Sequence, residues 1–185
     1  EYVEWFYYDG ERINFGKPPE LPQAKVVYGR EVKKLDYGVH IAPVRLRRFS
    51  FLPKHDELIE SDGGAKSNGN PDFSFAVERA QSTYNKVYSE PTRVRVDSIG
   101  ELQEVVRAEE EASMAQLLRV SGESDCADVR LGGELEIETS IRQDLAFVTD
   151  TLGKFLITEV EHHFDHLGRY SNQFSGVQAG TERLP

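Results

Sequence analysis

Three histidines within five residues, His162, His163 and His166, stand beside Glu161 and Asp165. A metal centre needs several nitrogen or oxygen donors converging on one point. On a strand, successive side chains point to opposite faces. Only one of His162 and His163 can therefore share a site with His166 across a turn. That leaves two imidazoles and at most a carboxylate, which reads as the polar end of a hairpin. Glu109, Glu110 and Glu111 could supply an acid/base pair, but consecutive helical positions fan out by about 100° each. They are expected to form a solvated helix face. Arg45, Arg47 and Arg48 form the one basic knot. Arg45 and Arg47 share a strand face and Arg48 takes the other, so ion pairing with the acidic later part of the chain or with a neighbouring subunit is expected. Cys126 is the single cysteine. It is flanked by Asp125 and Asp128 rather than by bases that would activate a nucleophile, and it reads as structural. The run Trp5, Phe6, Tyr7 and Tyr8 could stack on a sugar; packing or a subunit contact suits it better. No Gly-x-Ser-x-Gly elbow, P-loop or Gly-x-Gly-x-x-Gly occurs. No catalytic, cofactor-binding or metal-ligating residue is assigned, no cofactor is expected, and the chain is not read as an enzyme.

The elements that position these residues follow from pattern. Aromatic and β-branched residues around Asp9-Gly10 predict a hairpin, closed off by Gly16 and the Pro18-Pro19 pair. Val26 to Tyr28 reads as a strand, and residues 37–51 as strands with a break at Pro43. Residues 61–71 hold no large apolar side chain and read as an exposed, flexible loop. Phe73, Ala76, Val77, Ala80, Tyr84, Val87 and Tyr88 recur at helical spacing, with Asp72 or Ser74 as cap and Pro91 as stop. Ser98-Ile99-Gly100-Glu101 is a capping-box pattern for a second helix, with Leu102, Val105, Val106, Ala112, Ala115 and Leu118 as its apolar side. From Val129 onward the pattern is β: Leu135 to Thr139 alternates, and 154–164 with 170–177 reads as a long antiparallel hairpin turning at Asp165 to Gly168. The expected division is a β-rich region at 1–60, the loop at 61–71, a two-helix segment at 72–119, and strands at 120–185. Strands, two helices, then strands is an α+β order rather than a βαβ alternation.

Composition narrows the partners. The 185 residues carry 22 Lys and Arg against 32 Asp and Glu, a net charge of −10. Such a balance opposes binding to nucleic acid through its phosphates. No run of apolar residues is long enough for a membrane-spanning helix. Residues 1–60 sum to zero charge, so the acidic excess lies in 61–185.

Several segments, in order along the chain, resemble the Vgr-type (VgrG) spike proteins of type VI secretion systems. Trp5-Phe6-Tyr7-Tyr8-Asp9-Gly10 with Ile13-Asn14-Phe15-Gly16 resembles the family's early hairpin. Leu118 to Cys126 and Val129 to Gly133 are similar to its helix exit and following turn, with Gly132 where a proline often sits. Phe155 to His163 and Gly168 to Phe174 look like its strand, turn, and Tyr-x-Asn-x-Phe strand. The resemblance implies an α+β fold: an antiparallel β-barrel-like tube domain with two helices, as in phage baseplate hubs and late control D proteins. It implies a non-catalytic role as the hub of a trimeric cell-puncturing spike, adapting a hexameric tube to a threefold needle. Its implied partners are two further copies, an Hcp-like inner tube, baseplate proteins and effectors. Its implied location is assembly in the bacterial cytoplasm, then export or injection on the spike. In that family a first tube barrel precedes this region, and an oligonucleotide/oligosaccharide-fold domain and a β-helical needle follow it, so a piece of a longer spike is expected. Two other classes stay open on the residues alone. One is a metal-dependent hydrolase using His162, His163 and His166. The other is a carbohydrate-binding or adhesion module using Trp5 to Tyr8.

Overall fold

The structure, a computed structural model, describes residues 5–17, 20–64, 70–143 and 146–180. In chain order the elements are β1 (Phe6–Tyr8), β2 (Ile13–Phe15), β3 (Gln23–Tyr28), β4 (Val32–Val39), β5 (Leu46–Leu52), β6 (Glu57–Asp62), α1 (Pro71–Thr83), β7 (Tyr88–Pro91), α2 (Ile99–Ala115), β8 (Leu118–Ser124), β9 (Glu134–Gln143), β10 (Ala146–Phe164) and β11 (Tyr170–Gln178). They fall into two compact units. One comprises Phe6–Gly38 and Leu118–Gly180; the other is mainly Val39–Leu117, inserted in the chain between β4 and β8. The expected Pro18-Pro19 break and the middle of the expected 61–71 loop lie outside the described residues.

The discontinuous unit holds a ring of strands closed in the order β10-β11-β8-β4-β3-β9. β10 and β11 form the expected long hairpin, from Phe155 opposite Gln178 to Phe164 opposite Tyr170. Its turn is set by Asp165, whose carboxylate accepts the N–H groups of Leu167 and Arg169, both at 2.8 Å. Alternation builds the wall. On β9, Leu135 and Ile137 are buried while Glu134, Glu136 and Glu138 stay partly exposed. Val26, Val32, Leu118, Val120, Phe155 and Ile157 are buried with them, and Tyr37 meets Phe155 edge-on at 6.0 Å. The ring has a packed apolar core, as small barrels do. Gly122 on β8 is required by close approach: a Cβ there would lie 2.6 Å from the Lys34 carbonyl and 2.8 Å from the Phe174 ring. The β1–β2 hairpin belongs to the same unit, with Phe6 opposite Phe15 and Tyr8 opposite Ile13.

The inserted unit holds the sheet β6-β5-β7, with α2 packed on β5 and β6, and also contains α1. Leu46, Leu52 and Ile59 share one apolar cluster with Val96, Leu102, Val105 and Val106. Ser98 caps α2 as expected, its Oγ accepting from Glu101 N–H at 3.2 Å, while Glu101 reaches back one residue further than in a standard capping box, to Asp97 N–H at 2.7 Å.

Four expectations change. β5 and β6, which fall in the expected β-rich region at 1–60 and run into the start of the expected 61–71 loop, pair with each other, and β5 pairs with β7, in the inserted unit rather than in the ring. Strand propensity does not say which partner a strand takes. The first helix is capped by Asn70, whose side chain accepts from Asp72 N–H, with Pro71 at its first position. It ends at Thr83, because Tyr84, Val87 and Tyr88 are exposed and add nothing to the buried stripe. Tyr88 to Pro91 instead forms an edge strand parallel to β5, where proline is tolerated. Finally, β3 runs parallel to β9 over six residues, so the ring is mixed rather than wholly antiparallel.

Candidate functional site

The histidine hairpin does not gather its donors. His162 Nδ1 lies 2.6 Å from Tyr170 Oη, and the two rings stack with centroids 5.9 Å apart. His163 is 3.6 Å from Glu161. Tyr170 Oη also accepts from Asn172 at 3.0 Å. Among the described residues, no three His, Cys, Asp or Glu side chains are placed to hold a metal. A depression of about 480 Å³ along the barrel wall is lined by Lys34, Glu123, Glu159, Glu161, Gln173 and Phe174, among others. Lys34 neutralises Glu123 at 2.7 Å and holds its carboxyl below the ordinary range.

The basic knot is ion-paired. Arg47 on β5 meets Asp62 on β6 at 2.6 and 3.0 Å. Arg48 points the other way and bridges Glu109 on α2 at 2.8 Å and Glu90 on β7 at 3.2 Å; its side chain is 12% exposed. Arg45 stays exposed ahead of the strand. The acid run on α2 is therefore not a solvated face. Glu109 takes Arg48, and Glu111 pairs with Arg107 at 3.5 Å. Glu110, 4% exposed, accepts the Leu46 N–H at 2.8 Å. The three acids do fan out to different partners, but which of them faces inward depends on where β5 lies. Nothing in the sequence marks Glu110 as the buried one.

The barrel wall carries a second set of pairs that pattern reading did not single out. Lys25 on β3 reaches Glu138 at 2.7 Å and Glu136 at 3.7 Å on β9. Lys154 on β10 reaches Glu134 at 3.0 Å. The signal was available: Glu134, Glu136 and Glu138 sit at strand period on one face, and cross-strand cations are their natural partners. Cys126 is half-buried; its carbonyl accepts from Asn172 at 2.7 Å and its N–H donates to Ser124 Oγ.

Among the described residues, the β1–β2 hairpin carries a group of exposed apolar side chains. Phe6, Tyr8, Ile13 and Phe15 are 67, 59, 70 and 74% exposed. The turn holding them is well braced. Asp9 accepts from Arg12 N–H at 2.7 Å, Glu11 N–H at 2.9 Å and Asn14 Nδ2 at 2.9 Å. The Asn14 amide first, then the two backbone N–H groups, pull the Asp9 carboxyl down to about 2. Tyr7 turns inward over Gly132, and its burial, then Asp9, raises its hydroxyl pKa. Gly132 has φ +72° and donates its N–H to Ile157 at 2.9 Å. Proline, locked near φ −65° and lacking that N–H, could do neither.

No protein-family model matches the sequence, and no curated protein does. Solved structures do match in fold. The tail protein from Neisseria meningitidis MC58 aligns over 90% of this chain and 48% of its own, with 6% identity and a TM-score of 0.53. The 43 kDa tail protein of prophage MuSo2 from Shewanella oneidensis aligns over 94% and 47%, at 10% identity and a TM-score of 0.55. A protein of the virion of a native gene transfer agent particle aligns over 90% and 34%, at 9% identity and 0.52. The chain spans about half the length of the first two. It has a mostly β fold with two helices, similar to that of phage tail proteins. Among the described residues no helix is long and apolar enough to cross a membrane.

Proposed function

We propose that this chain is a structural part of a phage-like tail or contractile injection machine, acting by shape and contact rather than by bond-making. The observation that carries the reading is the fold shared with two tail proteins and a virion protein. In its finer form the reading is a hub: three copies in a collar that adapts a hexameric inner tube to a threefold, cell-puncturing spike, as the Vgr-type resemblance implies. The partners are then other copies, an Hcp-like tube, baseplate proteins and effectors. The collar assembles in the bacterial cytoplasm and leaves the cell on the spike. The ring's core is filled by side chains such as Leu135, Ile137 and Phe155, so any lumen would be lined by outer wall residues rather than run through the barrel. The braced, ion-paired strands suit a part that must transmit force without changing shape.

The test is to purify tail-like particles from the organism that encodes the chain and locate it by mass spectrometry and gold-labelled antibody. The chain should copurify and label one end of the tube. Particles that contain none of it would overturn the reading. Deleting residues 153–178, the long hairpin, should abolish assembly with the tube.

A further inference from the structure

The inserted unit holds a pocket of about 360 Å³ between the β5–β6 turn and the segment that leads into α2. Its floor is Leu52 and Val96, which are buried and belong to the unit's apolar cluster. Phe51 adds an exposed apolar wall. The charged groups at its mouth are Lys54, His55 and Arg95 against one carboxylate, Asp97. In a chain of net charge −10 that is a local reversal of sign. We infer that this pocket binds a small amphipathic carboxylate. The apolar body lies against Leu52, Val96 and Phe51, and the carboxylate is held by Lys54 and Arg95. The inference goes beyond the assembly reading and does not depend on it.

Three observations favour that occupant. The first is that the cations are available. Lys54 makes no ion pair among the described residues. Arg95 comes no nearer to Asp97 than 3.7 Å, beyond hydrogen-bond reach, so its guanidinium fork is left for a planar acceptor. The second is that both sides of the pocket are preformed. His55 N–H donates to the Leu52 carbonyl at 3.1 Å, and Asp56 closes the turn at φ 51°. On the other side Thr92 N–H donates to the Phe49 carbonyl at 2.9 Å, and Thr92 Oγ1 accepts from Val94 N–H at 3.3 Å. Entry into such a site costs little ordering entropy. The third is size. The pocket lies at the lower end of small-molecule sites, roughly 300–1,000 Å³, whereas a protein partner needs about 800 Å² of surface on each side.

Amide NMR shifts of the full chain, titrated with octanoate and with 2-naphthoate, test the inference. At least one acid should give saturable shifts centred on residues 50–55 and 95–97. Its neutral carboxamide, octanamide or 2-naphthamide, should bind about fivefold more weakly, the scale of one well-made exposed ion pair. Raising the salt should narrow that gap. Lys54→Gln/Arg95→Gln changes two exposed side chains and should leave circular dichroism unchanged. It should weaken the acid by about the same factor and leave the carboxamide unaffected. No saturable shift with either acid overturns the inference. So do shifts that map elsewhere, an acid that binds no better than its carboxamide, or an affinity for the acid that survives in the folded double variant.

Discussion

Gly63→Ala should destabilise the inserted unit through a single contact. A Cβ at position 63 would sit 2.5 Å from Cδ and Oε2 of Glu110 and 2.9 Å from its Cγ. Under ordinary circumstances a long carboxylate would swing away. This one is 4% exposed, and its Oε1 holds the Leu46 N–H at 2.8 Å. Keeping that bond means overpacking, at about 1–3 kcal/mol. Giving it up strands a buried N–H, also at about 1–3 kcal/mol. By either route the cost is about 2 kcal/mol. Glu110→Ala removes the acceptor and should cost a similar amount. It also removes the obstacle, so Gly63→Ala made in that background should be neutral or slightly stabilising, since alanine restricts the unfolded chain. Urea denaturation followed by circular dichroism and by the fluorescence of the buried Trp5 gives all four corners of the cycle. Strict additivity of the two substitutions would refute the contact.

Arg48→Ala should cost about 2–4 kcal/mol, because it leaves Glu90 and Glu109 facing a poorly solvated gap. Arg47→Ala, on the more exposed side, should cost under about 1 kcal/mol and lose that effect in high salt; equal costs in denaturation would contradict the assignment. The Asp9 carboxyl has a lowered folded pKa of about 2, against roughly 3.9 in an unfolded chain. Its contribution to hairpin stability is therefore full above about pH 4 and is lost as pH falls through 2. A carboxyl NMR titration should give a midpoint near 2, rising in Asn14→Ala, and a midpoint near 4 in the wild type would dismiss the bracing. Gly132→Pro should disrupt the Tyr7 seat and the bond to Ile157, lowering the melting temperature far more than Gly133→Ala, where the nearest contacts are 3.0 Å from two carbonyl oxygens; comparable melting curves would speak against it.

Local signals made much of this fold legible. Asp9-Gly10 between aromatics marks the hairpin, Ser98 with Glu101 marks the second helix, and the alternation through Leu135 and Ile137 marks a barrel strand. These are effects of neighbours in sequence. Pairing over long distances was not legible. Nothing local says that Tyr88 lies beside Leu46 or Gln23 beside Glu134, and both pairs are parallel. The candidate site divides the same way. The opposite directions of Arg47 and Arg48 follow from strand period, and each found the acids it needed. Glu110 is buried only because β5 presents an N–H beside it, a fact of tertiary placement. The outward turn of Phe6, Tyr8, Ile13 and Phe15 is likewise a consequence of Tyr7 finding Gly132 from 125 residues away.

The central claim is that the chain is scaffolding in a tail-like particle, and a cryo-EM reconstruction of that particle tests it most directly. The account predicts density for this six-stranded ring, in three copies, where the tube meets the spike. Complete particles whose tube-to-spike junction contains no such ring would contradict it.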